Sequence, residues 1–155
     1  MKTKNWRFTF LLFFLLSALA YAASDQQLGT WKLNESKSKI GAGAPKNDTV
    51  TYEASGDNIK VTIEGTASDG SKTRTEWTGK FDGKEYPSTG GPFEDMRSYK
   101  EVNDRTLEVV SKKDGKIVLS GRVVVSPDGK TRTVTVKGTS AQGKKFTSTA
   151  VYEKE

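Results

Sequence analysis

The side chains that could do chemistry in this chain are defined first by two absences. Its 155 residues contain no histidine and no cysteine. Histidine is the commonest general base and metal ligand, and a cysteine thiolate is the readiest protein nucleophile. Without an imidazole, no serine has the usual partner that would activate it. Glu94 and Asp95 are adjacent. On a strand their carboxyl groups would point to opposite faces, so they do not form the facing pair that glycoside chemistry needs. Ser36, Lys37, Ser38 and Lys39 lie together in a stretch with no supporting motif. No glycine-rich loop opens a helix to cradle a phosphate, and no residues have metal-ligand spacing. The expectation is a protein that is not an enzyme and holds neither cofactor nor metal.

What remains is binding chemistry. An arginine inside a fold is a fixed cation with a planar fork of donors suited to a carboxylate. Arg97, Arg122 and Arg132 are the candidates, and Arg132 shares an alternating face with Val134 and Val136. Tyr52, Trp77, Phe81, Tyr86, Phe146 and Tyr152 fall at positions that alternation turns inward. Inward aromatics either fill a core or line the wall of a small-molecule pocket. Together with Arg132 they are the expected ligand-binding set, for a small apolar or amphipathic molecule.

The elements that would position these residues are strands. Turn signals recur at Ser55-Gly56-Asp57, Asp69-Gly70, Asp82-Gly83, Asp114-Gly115, Asp128-Gly129 and Gln142-Gly143. Asp-Gly suits tight hairpins, which need backbone at positive φ. Between the turns, residues alternate. Ile59, Val61 and Ile63 oppose Lys60, Thr62 and Glu64, and Thr73, Thr75 and Trp77 oppose Lys72, Arg74 and Glu76. That is the pattern of an antiparallel sheet wet on one face. A meander this long closes to remove its edges, which predicts an all-β, up-and-down antiparallel barrel of about eight to ten strands. A two-sheet sandwich is the alternative, but it needs a long crossover that hairpins do not supply. Gly65, Gly79, Gly121 and Gly138 fall on inward positions, where they either leave cavity space or mark bends.

The beat breaks once. Tyr86-Pro87-Ser88-Thr89-Gly90-Gly91-Pro92 combines two prolines with two glycines. Prolines lack the donor that a central strand needs, so the reading here is a short strand ending at Tyr86 and then a lid-like loop. This stretch, with Tyr86, is the predicted mouth of the barrel.

The N-terminus reads as an address. Lys2, Lys4 and Arg7 precede an apolar run from Phe8 to Leu16, and Ala18, Ala20 and Ala22 offer small residues for cleavage. This is a signal-peptide pattern, and the run is too short for a membrane span. The predicted division is a signal peptide over residues 1–22 and a single barrel domain over 23–155, exported to the periplasm or beyond. Without the three signal-peptide cations, the excess of Lys and Arg over Asp and Glu falls from six to three. The remaining cations are interleaved with acids, which does not make a nucleic-acid-binding face. No stable membrane anchor is expected, and the barrel is expected to be a monomer. A barrel with a filled interior that acts through its surface, as a non-catalytic envelope protein, is the alternative function.

Gly29-Thr30-Trp31-Lys32-Leu33 resembles the opening Gly-x-Trp strand of lipocalins and intracellular fatty-acid-binding proteins. That resemblance implies a calycin-type barrel in which Gly29 and Trp31 are structural, with the indole plugging the closed end. The whole chain after residue 28 is similar to a group of secreted bacterial proteins of unknown activity. The similarity lies in Trp31-Lys32-Leu33-Asn34, Phe81-Asp82-Gly83-Lys84-Glu85-Tyr86-Pro87, Val125-Ser126-Pro127-Asp128-Gly129-Lys130-Thr131 and Val151-Tyr152. It implies the fold and export and brings no activity. Glu35 to Asn47 is too short for the two portal helices of fatty-acid-binding proteins.

Overall fold

The computed structural model describes residues 22–67 and 69–155. The predicted signal peptide, except its last residue, lies outside the described residues. A short helix, α1 (Ala22–Gln27), leads into ten strands: β1 (Gly29–Leu33), β2 (Lys46–Ser55), β3 (Asn58–Thr66), β4 (Lys72–Gly79), β5 (Tyr86–Thr89), β6 (Met96–Asn103), β7 (Thr106–Lys113), β8 (Lys116–Val125), β9 (Thr131–Thr139) and β10 (Lys145–Lys154). A single 3₁₀ turn, Glu35–Lys37, follows β1. Every strand pairs antiparallel with its sequence neighbour, and β10 returns to β1 to close the barrel. The fold is an all-β, closed, ten-stranded up-and-down antiparallel barrel, as the alternation predicts.

The turns explain the meander. Asp114 is the one described non-glycine residue at positive φ (49°), followed by Gly115 at 75°. Only this Asp-Gly pair therefore takes the doubly left-handed hairpin expected of them all. At Asp69, Asp82 and Asp128 the glycine alone turns left-handed, and the aspartate acts through its side chain. Their Oδ1 atoms accept from the backbone N–H two residues on, at 2.9, 2.9 and 3.0 Å. Aspartate is suited to this position because its short carboxylate can mimic a backbone turn.

Alternate strand ends define two rims. At the closed end α1 lies beneath Trp31, whose indole Nε1 donates to the Gln27 carbonyl at 2.8 Å. Trp31 is fully buried. Gly29 sits at a φ of 118°, a conformation that a side chain would strain. At the opposite, loop end lie the 90–95 loop, the 139–145 turn and the stretch leading from the 3₁₀ turn to β2.

One expectation needs correction, and one open alternative closes. Tyr86–Thr89 is a paired strand, with Trp77 opposite Ser88 and Tyr86 opposite Arg97. Pro87 is tolerated because pairing with β4 covers only Thr89 and Ser88, leaving no β4 carbonyl that waits for a proline N–H. The loop proper is therefore Gly90–Asp95 at the loop end, and Tyr86 sits at the other end of β5, its hydroxyl donating to Asp82 at 2.9 Å. Tyr86 is not at the mouth. The inward glycines leave no cavity either. A Cβ on Gly121 would meet the Thr135 carbonyl, one on Gly65 the Lys46 carbonyl, and one on Gly79 the rings of Tyr86 and Trp77. They are places of close approach, where strands coil or rings seat.

Candidate functional site

The barrel interior divides into a packed half and a hollow half. The packed half centres on Trp77. Its ring meets Tyr99 edge-on at 4.9 Å, Tyr86 at 5.7 Å, and stacks near Phe81 at 6.4 Å. Its Nε1 donates to the Arg97 carbonyl at 2.9 Å. Edge-to-face pairs of this kind add about 0.5–1.5 kcal/mol each beyond the area they bury. Trp77, Phe81 and Tyr86, three of the expected ligand-binding residues, lie in this aromatic cluster, with Phe81 and Tyr86 each set against the Trp77 ring.

The hollow half lies toward the loop end and against β9 and β10. An inner chamber of about 60 Å³ is walled by Tyr52, Val123, Arg132, Phe146 and Tyr152, with Arg97 and Tyr99. An outer chamber of about 130 Å³ opens between Pro45, Thr73, Phe93 and Ala141. The two share Pro45, Asn47, Ile63, Arg97 and Leu119 in their walls. Tyr52, Arg132, Phe146 and Tyr152, all predicted as ligand-binding, are thus brought together. Alternation puts them there, because each faces inward on β2, β9 or β10.

Two buried arginines set the electrostatics. Arg97, at the neck, is clamped by Glu94: Nη2 and Nε donate to Oε2 at 2.8 and 3.1 Å. Ser88 Oγ donates to the other carboxylate oxygen at 2.6 Å. Arg97 Nη1 donates to the Tyr99 hydroxyl at 2.8 Å, and the Tyr52 hydroxyl reaches the same oxygen at 3.4 Å. Burial alone would push the Glu94 carboxyl up, but Arg97 and the hydrogen bonds outweigh it and hold it below the usual glutamate range. Arg97 is shifted the other way, since Glu94 more than offsets burial and keeps the guanidinium charged. Burial raises the Tyr99 phenol and pushes Tyr152 up to about 12 despite Arg132 nearby.

Arg132 is different. It is 3% exposed, and its Nε and Nη1 have no hydrogen-bond partner. Among the described residues no carboxylate pairs with it. Its guanidinium carbon lies 4.7 Å from the Tyr52 ring centre, 5.2 Å from Tyr152 and 5.6 Å from Trp31. The aromatic faces stabilise the cation in part.

Tyr99 and Glu94 are the site residues that sequence reasoning does not select, whereas Arg97, one of its three candidate cations, stands at the neck beside the preferred Arg132. Arg97 and Tyr99 share the inward face of β6, so the alternation carries their signal. Glu94 is buried by loop closure, which no local pattern reports.

The depressed carboxyl of Glu94 makes a pH prediction. Its contribution to stability is complete above the unfolded glutamate value, about 4.3, and disappears as pH falls through the lower folded value. Urea unfolding should therefore show a loss of stability between about pH 5 and pH 2 that is smaller in Glu94→Gln. Identical pH profiles for the two proteins would refute it.

No protein-family model matches the chain. No curated protein matches it either. Solved structures do align, over 86% of this chain. A redesigned β-barrel, mFAP1, bound to DFHBI shares 16% identity over 99% of its own length, with a TM-score of 0.45. EF1p2_mFAP2b bound to DFHBI shares 14% over 98% of its length, with a TM-score of 0.48. A fluorescence-activating β-barrel from de novo design shares 16% over 98% of its length, with a TM-score of 0.42. The fold assignment rests on this chain's own strand order.

Proposed function

We propose that this protein is an exported, non-catalytic barrel that binds a small, partly apolar molecule from the loop end. One observation carries the reading: the outer chamber continues past Arg97 into a chamber walled by aromatic and aliphatic side chains. Concave, mostly apolar walls with a few fixed polar groups are the common form of a small-molecule site. The volumes bound the occupant. A dry cavity of about 150 Å³ holds benzene, so chambers of about 60 and about 130 Å³ suit a molecule of one ring or a short branched chain. A long acyl chain does not fit. Export is supported by the charged and apolar segments of the first 22 residues, and the absence of histidine and cysteine supports a binding role over a catalytic one.

Ligand-observed NMR with small aromatic and branched aliphatic compounds tests the reading. Compounds of one ring should bind, palmitate should not, and Ala141→Trp, at an exposed position on the rim, should weaken binding without loss of β-structure. If no compound binds, the barrel is effectively filled and a role through its outer surface takes precedence.

A further inference from the structure

Building on the binding reading above, we infer that the occupant is a small organic monoanion, bound with its acid group toward Arg132. The inner chamber is lined by two arginines and no acid. Glu94 neutralises Arg97 from the neck through two hydrogen bonds to one carboxylate oxygen. Arg132 is left with its charge, at 3% exposure, and with two enclosed donor nitrogens unpartnered. The interior therefore carries one uncompensated positive charge. Arginine cannot shed that charge by losing its proton, and a buried cation without a counter-charge is expensive.

The hydroxyls point the same way. Tyr99 accepts from both Arg97 and Tyr52, so its own proton remains to be donated. Tyr152 donates to the Asn47 carbonyl at 3.1 Å, which removes it as a competitor for the ligand's oxygens. The chamber offers donors and positive charge to an acceptor with a single negative charge. A dianion would exceed the charge available. The apolar remainder of the molecule then lies among Ile63, Leu119 and Phe93 in the outer chamber. A carboxylate is the simplest group of this kind.

Isothermal titration of the barrel, residues 23–155, with benzoate and with benzyl alcohol separates the alternatives. Benzoate should bind about tenfold or more tighter than the alcohol, as a charge-assisted hydrogen bond in a dry site implies. Arg132→Met should abolish that preference, and Arg132→Lys should retain part of it. Should Arg132→Met fail to fold, the wild-type ratio with Arg132→Lys and a chloride competition still decide the matter. Equal affinity for acid and alcohol overturns the monoanion and leaves the binding reading standing. Binding of neither overturns both. Displacement of benzoate by chloride at comparable concentration overturns an organic acid as the intended occupant.

Discussion

Arg97→Met should destabilise the barrel by about 3–5 kcal/mol, because it removes one partner of a buried ion pair and strands the other. Glu94 would remain 3% exposed with Ser88 as its remaining close hydrogen-bond donor. The carboxylate would have to ionise in an apolar wall or take up a proton. The effect is conditional on the partner. In Glu94→Gln/Arg97→Met the uncompensated charge is gone, and much of the lost stability should return, since replacing both members of a buried pair is often close to neutral. Chemical denaturation of the two single variants and the double variant measures this. Additive losses in the double variant would show that the pair is not coupled as its geometry implies.

Trp77→Ala should cost a comparable amount, about 3–5 kcal/mol. The indole is 1% exposed, and three aromatic neighbours rest on it. Its loss would leave a cavity and free the Arg97 carbonyl that the indole N–H holds at 2.9 Å. Trp77→Phe should cost less, since it keeps a ring in place and loses the hydrogen bond. Because Trp77 touches β6 next to Arg97, the alanine variant should also loosen the neck between the two chambers. Thermal unfolding of both variants tests the order; equal losses would mean that the hydrogen bond, rather than ring packing, holds this half of the barrel together.

The architecture was legible in the residues because its signals are local. Ile59 to Gly65 and Lys72 to Gly79 alternate without interruption, and most turns carry their own aspartate and glycine. Their summed effect is a meander, and closure follows from the need to remove edges. The site was only partly legible. Alternation says that Tyr52, Trp77 and Phe146 face inward, but not which inward rings touch one another and which border space. Trp77 and Phe81 pack together, whereas Tyr52 and Phe146 face the chamber, a difference set by contacts between strands that no single strand's pattern carries. Pro87 has a related cause: a proline excludes pairing only on the side its nitrogen faces, and Pro87 pairs with Met96 of β6 while no β4 residue stands opposite it. Glu94 beside Asp95 reads as two carboxyl groups on opposite faces, and nothing local tells that Glu94 is the buried counter-charge of Arg97.

The seam of the barrel has a consequence in chain entropy. Trp31 on β1, Tyr52 on β2 and Tyr152 on β10 form the cage around the unpaired Arg132 on β9, and all four strands lie at or beside the junction where β10 meets β1. That junction joins the most distant parts of the sequence, with Trp31 opposite Lys154 and Leu33 opposite Tyr152. Hairpins can form one after another, but this contact closes the longest loop in the molecule, and its entropy cost is offset only when the ring shuts. An unclosed sheet would leave Arg132 open to water. Ring closure and the burial of the cation belong together, so an anion held at Arg132 would also favour the pairing of β1 with β10.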